Sequence, residues 1–356
     1  MSKWEKFKWF VEQIKQMKKK SAPFATLGTK LIIRSLITIG VGNIALYLIF
    51  PEGMLVEELK VSNGELSTFT LILTVIVIII GIAMILFEGY NYKKARKTGK
   101  IIINGMKNGF AKFPIDVLSY EEKNNSRDTI KLGMIEEVDN LEKQIQYYNS
   151  EKQIDLYNRF IFNDELENLY VCGISRVPFL VAYGVCLKGN VSIKYIEREH
   201  STNKSFFLDD VNRKIDIIKM NENIELSEDG DIGIAIGFTT EIKKEHLPEK
   251  LKEHTLFIKP SLEENRLLIK NQDNLIEIVK KIQKIIDSYS SNSLCKKIHL
   301  FLSIQTSFAI ELGRHFQEGI HKNWVIHNFD GRTGKYSWAL EVSKDFLKKY
   351  EENEPL

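Results

Sequence analysis

Hydroxyl, amide and cationic side chains lie in or beside the turns that follow several predicted strands of this sequence. In open α/β sheets, small ligands bind beyond the carboxyl ends of the strands, where helix N-termini present N–H donors. Such side chains suit a phosphate-bearing ligand, although serine and threonine also cap helices routinely. The candidate ligand-binding residues are Ser175, Arg176, Thr239, Thr240, Lys259, Gln305 and Thr306. Arg176 is the foremost candidate, because a guanidinium can hold a phosphate through two parallel hydrogen bonds.

The motifs of the common enzyme classes are absent from the sequence. Residues 173–177 (GISRV) lack the final glycine of a nucleophile elbow, and the sequence contains no GxxxxGK[ST] and no GxGxxG after a strand. His315, His321 and His327 recur six residues apart, a spacing that places them on different faces of a helix. The sequence therefore predicts no catalytic residue, no metal site and no cofactor.

Cysteine usage indicates a reducing compartment. The sequence has three cysteines, Cys172, Cys186 and Cys295, with no CxxC spacing. A sparse, odd set predicts neither a disulfide framework nor a thiolate zinc site. We expect each cysteine to fill space in the core.

Strand and helix patterns alternate along the second part of the chain and predict two Rossmann-type units in tandem, at about 126–230 and 231–356. The first unit has strands at 168–172 and 191–197 around a helix at 177–188. In the second unit the strands fall at 231–238, 255–259, 297–303, 324–329 and 336–342. Its helices are predicted at 241–253, 272–289 and 307–321, and the last two strands should pair as a hairpin.

Two apolar stretches near the N-terminus predict a hairpin of membrane-spanning helices. Residues 69–88 contain an uncharged run long enough to cross a bilayer. Residues 27–50 form a second apolar stretch, which Arg34 interrupts near its start. Residues 51–68 would form a short external loop and residues 89–125 a juxtamembrane linker to the domain at 126–356. Gly42 and Gly81, near the middle of the spans, are candidates for close helix packing, because glycine lets two backbones approach.

The charge is divided unevenly along the chain. Residues 1–100 carry 15 basic and 7 acidic residues, a net charge of +8, whereas the remainder carries 35 and 40, a net of −5. The basic segment 1–26 suits the surface of an anionic membrane, and the acidic body argues against binding to DNA or RNA polymers. Lysines precede the first span and follow the second. This distribution predicts a multi-pass protein of the cell membrane with both termini cytoplasmic.

The C-terminal quarter resembles the SAVED family. The resemblance is carried by IHLFLSIQTSFAIELGRHFQ (298–317), WVIHNFD (324–330) and YSWALEV (336–342), and VCGISRVPFLVAYGVCL (171–187) is similar to the family's first unit. It implies two fused CARF-like units that sense a cyclic oligonucleotide, commonly a cyclic trinucleotide. It also implies self-association on binding and a functional link to a CD-NTase that makes the messenger.

Together with the hairpin, the resemblance looks like the membrane-disrupting effector class of bacterial anti-phage signalling of the CBASS type, with two transmembrane helices before the sensor. Such a protein would cause abortive infection by permeabilising the inner membrane. Two alternatives remain open from the residues alone. One is a membrane-anchored scaffolding protein whose α/β domain binds another protein, and the other is an enzyme that degrades the messenger.

Overall fold

The computed structural model describes two units of the chain. The described residues are 23–40, 68–107, 109–133, 140–152, 166–187, 192–199, 201–317, 319–343 and 346–351. One unit is helical and includes residues up to Arg96 together with Ser119–Ser126, and the other is an α/β unit formed by Lys97–Leu118 and Arg127 onwards. The predicted interfacial segment 1–26 lies outside the described residues, except for 23–26, and the external loop 51–68 lies outside them, except for Thr68.

The described residues of the helical unit form two long helices and one short helix, α1 (Pro23–Gly40), α2 (Thr68–Arg96) and α3 (Tyr120–Asn125). Helix α1 begins four residues before the predicted span 27–50, whose last ten residues lie outside the described part of the chain, as does Gly42. Helix α2 continues beyond the predicted span 69–88. Among the described residues, one helical stretch, Leu71–Arg96, is long and apolar enough to cross a membrane.

Helices α1 and α2 pack against each other through glycine. A Cβ added at Gly81 would lie 2.8 Å from the carbonyl oxygen of Gly28, and one added at Gly28 would lie 2.5 Å from that of Gly81. Near the start of α1, Phe24 packs edge-on against Phe87 with ring centroids 6.4 Å apart, and the backbone N–H of Ala25 donates to the Glu88 carboxylate. Contacts that run up one helix and down the other define an antiparallel pair.

The α/β unit contains two mainly parallel sheets. The first sheet has the strand order β2-β1-β3-β4-β5, in which β1 to β4 are parallel and β5 is antiparallel to β4. Its strands are β1 (Thr98–Asn104), β2 (Thr129–Leu132), β3 (Asn168–Ile174), β4 (Ser192–Arg198) and β5 (Ser205–Phe207).

The second sheet has the order β12-β11-β10-β9-β7-β8-β6, with a parallel centre of β10, β9, β7 and β8 and antiparallel strands at both edges. Its strands are β6 (Ile217–Lys219), β7 (Asp231–Gly237), β8 (Thr255–Pro260), β9 (Lys297–Ser303), β10 (Asn323–Asp330), β11 (Lys335–Val342) and β12 (Leu347–Tyr350). Strands β10 and β11 form the expected hairpin. The helices of the α/β unit are α4 (Leu141–Tyr147), α5 (Val177–Cys186), α6 (Gln272–Ser290) and α7 (Thr306–Arg314).

Three sequence-based assignments differ from the structure. Residues 98–104, predicted as part of the linker 89–125, form the buried strand β1 in the first sheet. Each sheet is the centre of one half of the α/β unit, and β6 pairs with β8 in the second sheet, so the second half begins no later than residue 217 rather than at 231. The predicted helix 241–253 is replaced by two 3₁₀ turns, Lys244–His246 and Glu249–Leu251. Pro248 lies between the turns, and its missing N–H and its ring oppose a continuous helix.

The two halves of the α/β unit are joined by a close crossing of α5 and α7. A Cβ at Gly184 or at Gly313 would lie 3.0 Å from the Cα of the other glycine and closer still to the carbonyl oxygens of Ile310 and Val181, respectively. Helix α5 follows β3 in the first sheet, and α7 follows β9 in the second. Because each helix begins at the carboxyl end of its strand, the crossing fixes how these two strand ends face each other.

A chain of buried polar side chains runs across the central strands of the second sheet, from the amino end of β7 to the middle of β10. His299 Nδ1 is 2.9 Å from His327 Nε2, and His299 Nε2 is 3.2 Å from Asp231 Oδ2. Burial lowers the pKa of both imidazoles, and for His299 the hydrogen bond that its ring donates to Asp231 opposes that effect only in part. Lys250 and Lys297, which lie near the Tyr350 ring, lower the pKa of His299 further.

We expect Gly313→Ala to destabilise the α/β unit by about 1–3 kcal/mol, because the added methyl group overpacks the helix crossing. Urea unfolding of the full chain in detergent, followed by tryptophan fluorescence, measures the change. Gly331→Ala is the matched control, since a Cβ there meets nothing within 4 Å. Equal stability of the two variants would show that the crossing of α5 and α7 accommodates the added methyl group.

Acidification should destabilise the protein through His327. The unfolded imidazole binds a proton near pH 6.5, whereas burial keeps the folded one neutral well below that pH. The contribution of His327 to the free energy of unfolding is therefore present above pH 6.5, and it falls by about 1 kcal/mol between pH 6.5 and pH 5.5. Urea midpoints of His327→Gln should depend less on pH over this range, while those of Thr240→Ala, a change at an exposed position, should follow the wild type. An unchanged slope in His327→Gln would contradict the assignment.

Candidate functional site

A cleft of about 530 Å³ lies where the carboxyl ends of the two sheets meet. The first half supplies Met106, just after β1, and the turn between β3 and α5. The second half supplies the end of β9, the end of β10 and the hairpin turn that leads into β11. The lining residues are Met106, Ser175, Arg176, Val177, Leu302, Asn328, Phe329, Asp330, Gly331, Arg332, Ser337 and Trp338. Its volume falls in the range of small-molecule sites.

Arg176 is positioned by the start of α5. Its backbone is extended (φ −67°, ψ 139°), and its carbonyl accepts from the N–H groups of Phe179 and Leu180, so the residue caps the helix. Pro178 in the first turn lacks an N–H group, and none is needed there. The Arg176 guanidinium lies 5.6 Å from the centre of the Trp338 ring, which in turn packs edge-on against Phe179. The half-buried guanidinium and the indole thus form one wall of the cleft.

Asp330, on the β10–β11 turn, contributes a negative charge to the cleft. Asp330 Oδ1 accepts from the backbone N–H of Arg332 at 3.0 Å and from its Nε at 3.3 Å, and Oδ2 accepts from Arg332 Nη2 at 3.3 Å. These hydrogen bonds, together with the nearby charge of Arg176, hold the pKa of the Asp330 carboxyl below its usual value. The cleft therefore contains two guanidinium groups and one ionised carboxylate.

This arrangement can hold an anion beside an aromatic ring. Guanidinium groups bind phosphate oxygens through paired hydrogen bonds, and an indole offers a face for stacking. Asn328 and Ser337 add amide and hydroxyl groups that could bind a sugar or a base edge. The described His, Cys, Asp and Glu side chains include no group that could hold a metal ion.

The structure brings together only part of the predicted ligand-binding set. Ser175 and Arg176 line the cleft. Lys259 lies in β8 and lines a separate, smaller cleft of about 280 Å³ with Lys243 and Lys244. Thr306 is the first residue of α7 and is half-buried.

The other three predicted residues, Thr239, Thr240 and Gln305, do not line the cleft. Thr239 donates its N–H to the Ser303 carbonyl at 2.9 Å, and its Oγ1 lies 2.8 Å from Ser303 Oγ. Thr240 is exposed, and its carbonyl oxygen packs near Gly237. Gln305 is buried, with Oε1 accepting from the Ile269 N–H at 2.7 Å and Nε2 donating to the Ile269 carbonyl at 3.0 Å. Both ends of the Gln305 amide are therefore hydrogen-bonded to the backbone of a loop rather than turned toward an open cavity.

The cleft residues that sequence reasoning missed are on the β10–β11 hairpin and after β1. Residues 330–334 (DGRTG) predict a tight turn, but the sequence does not show that this turn faces β3 from the other half of the domain. Trp338 lies in a strand whose pattern predicts burial. Met106 follows a strand that was itself assigned to a linker. A cleft built from distant segments leaves no local sequence signal.

Strand β4 of the first half holds α7 of the second half at two points. Glu197 Oε1 accepts the N–H of Ser307 in the first turn of α7 at 2.8 Å, and burial raises the pKa of this carboxyl. Further along the helix, Glu311 Oε2 accepts from Tyr195 Oη at 2.5 Å and from Arg314 Nη1 at 2.8 Å. Burial opposes ionisation of Glu311, but its partners outweigh that effect and lower its pKa to about 2.

Comparison with known proteins links the chain to a sensor family. A model of the SAVED family, described as the SMODS-associated and fused to various effectors sensor domain, matches residues 154–342. These 189 residues are a little over half of the chain's 356. The chain matches no curated protein.

The solved structures that the chain matches include Cap4 SAVED/CARF-domain receptors. Cap4 SAVED/CARF-domain receptors of Acinetobacter baumannii with the cyclic trinucleotides 3′3′3′-cAAA and 2′3′3′-cAAA are 14% and 16% identical, with TM-scores of 0.45 and 0.46. A Cap4 receptor of Moraxella osloensis is 19% identical, with a TM-score of 0.44. Each match covers 77% of this chain and 57–59% of the receptor, so the chain spans less than two thirds of these receptors' length.

Gln305→Met should destabilise the protein by about 1–3 kcal/mol, because it leaves the buried N–H and carbonyl of Ile269 without their partners. The urea midpoint of the full chain measures this loss. Thr240→Ala, at an exposed position, should change stability by less than about 0.5 kcal/mol. A Gln305→Met variant with wild-type stability would show that the amide is free for a ligand.

Proposed function

The chain belongs to the SAVED family, and from this premise we propose that it is a membrane effector of CBASS-type anti-phage signalling that senses a cyclic oligonucleotide. The ligand, commonly a cyclic trinucleotide in this family, would be the product of a CD-NTase encoded nearby. It binds the α/β unit, the unit self-associates, and the helical hairpins then disrupt the inner membrane. The protein itself catalyses no reaction.

The cleft between the two sheets is the observation that carries the proposal. Arg176 and Arg332 offer guanidinium groups to a phosphate, and Trp338 offers an aromatic face beside them. Both halves of the α/β unit contribute to the lining. A ligand with several phosphates and bases can therefore contact both halves at once.

The helical unit supports attachment to a membrane. Helix α2 contains a stretch long and apolar enough to span the hydrocarbon core. Helix α1 packs antiparallel to it, as the two arms of a hairpin would. Basic side chains occur at the end of α2 (Lys93, Lys94 and Arg96), and they support the proposal that this end and the sensor that follows it in the chain are cytoplasmic.

Signalling requires that the ligand favour one state of the protein. A shift from 1:99 to 99:1 between a dispersed and an associated state needs a difference of about 5.5 kcal/mol in binding free energy between the two. A ligand held by groups from both halves could meet that need, because its contacts depend on how the halves are arranged.

We expect the full chain in detergent to bind at least one member of a panel of cyclic di-, tri- and tetranucleotides. The full chain is used because β1 begins at Thr98, directly after α2. Arg176→Ala should weaken this binding by about 1.5–3 kcal/mol, the range for hydrogen bonds to a charged group. Isothermal titration calorimetry measures the affinity.

Lys259→Ala is the matched control, because Lys259 lines the smaller, separate cleft. Loss of binding in Lys259→Ala with wild-type affinity in Arg176→Ala would move the site to that cleft. Baseline heats for the whole panel, with a protein partner retained at micromolar concentration, would instead favour the scaffolding role. Chromatographic loss of a nucleotide over hours would favour a degradative enzyme.

Ligand-triggered leakage of dye from vesicles should fall steeply in Gly81→Leu. Leucine keeps α2 apolar, so the helix should still insert, but its side chain would meet the Gly28 carbonyl and force the two helices apart. Gly89→Leu is the matched control on the same helix, because a Cβ at Gly89 meets nothing within 4 Å. Nucleotide binding should be unchanged in both. Wild-type leakage from Gly81→Leu would show that close α1–α2 packing is not part of the mechanism.

A further inference from the structure

Asp330 places a negative charge in a cleft whose other charged groups are guanidiniums. Its side chain is 20% exposed and is paired with Arg332, whose own side chain is 91% exposed. The charge of Arg176, on the other half of the α/β unit, also acts on this carboxylate. One carboxylate thus interacts with both arginines that an anionic ligand would use.

The turn at residues 330–334 does not need this charge. The backbone carbonyl of Asp330 accepts from the N–H groups of Thr333 and Gly334 at 3.2 and 2.9 Å, which closes the turn. The side chain adds one acceptor, Oδ1, for the N–H of Arg332. An asparagine could supply the same acceptor without charge. The charge of Asp330 therefore acts on the arginine side chains rather than on the backbone of the turn.

We propose that Asp330 is an internal competitor in the unliganded cleft, where its carboxylate pairs with Arg332 and offsets the charge of Arg176, and that the ligand must displace it. A singly charged anion gains little by replacing one carboxylate with another negative group. A ligand with several phosphates brings more charge than it displaces, so Asp330 sets a threshold that selects polyanions. The inference rests on the proposed function for the nature of the ligand, and on the positions of three charged side chains for the competition.

The test is calorimetry on the full chain in detergent at low ionic strength, with two probes. Inorganic tripolyphosphate reports on the charges of the cleft alone, and cyclic tri-AMP reports on the proposed messenger site. Asp330→Asn removes the charge and keeps the Oδ1 acceptor, and Asp330→Ser repeats the test with a second residue that suits the turn. Asp229→Asn is the matched control, since this exposed aspartate precedes β7, at the opposite ends of the parallel strands.

We expect Asp330→Asn to bind tripolyphosphate about tenfold more tightly than the wild type, the order expected for removing one charge several ångströms from the ligand. The gain should be absent from Asp229→Asn and lost in the double variant Asp330→Asn with Arg176→Ala. Cyclic tri-AMP should bind more tightly by a similar factor.

Unchanged or weaker tripolyphosphate binding in both folded Asp330 variants would overturn the inference, and so would an absence of tripolyphosphate binding in every variant. A carboxylate that contacts a ribose hydroxyl or a base would give weaker cyclic tri-AMP binding, which also contradicts competition. If tripolyphosphate behaves as expected but no cyclic oligonucleotide binds, the proposed function fails and the competition at Asp330 stands.

Discussion

The close crossing of α5 and α7 at Gly184 and Gly313 is the constraint on which the cleft depends. Two helices can approach this closely only where neither backbone carries a side chain at the contact. Tyr195 and Glu197 on β4 fasten the same helix α7 at a second and a third point. Since each helix starts at the end of a central strand, these contacts set the distance between the two strand ends that line the cleft.

The polar groups of the α/β unit are buried inside the second sheet but line a cleft at the carboxyl ends of the strands. Inside the second sheet, Asp231, His299 and His327 form a buried chain of hydrogen-bonded side chains, and burial lowers the pKa of both imidazoles. At the carboxyl ends, the guanidinium groups of Arg176 and Arg332 line the cleft, and the Asp330 carboxylate lies there with them. The first arrangement stabilises the fold, whereas the second leaves charge available to a ligand.

Much of the fold could be predicted from the sequence, because the central strands and α6 have strong local patterns. The edge strands could not, since β2, β5, β6 and β12 are only three or four residues long and their pairing depends on distant segments. Strand β1 was missed because its short apolar run follows α2 directly and has no turn signal before it. Within the site, the turn after β3 was predicted by its position, but Asp330, Arg332 and Trp338 enter the cleft through tertiary packing that no local pattern encodes.

The central claim is that a cyclic oligonucleotide binds between the two sheets, in contact with both halves of the α/β unit. Hydrogen exchange of the full chain, with and without the panel member that binds most tightly, tests it most directly. The account predicts slower exchange in two separate segments, one around residues 175–180 and the other around residues 328–338. Protection confined to residues 241–244 and 257–260, which line the smaller cleft, would contradict it, as would protection of one half alone.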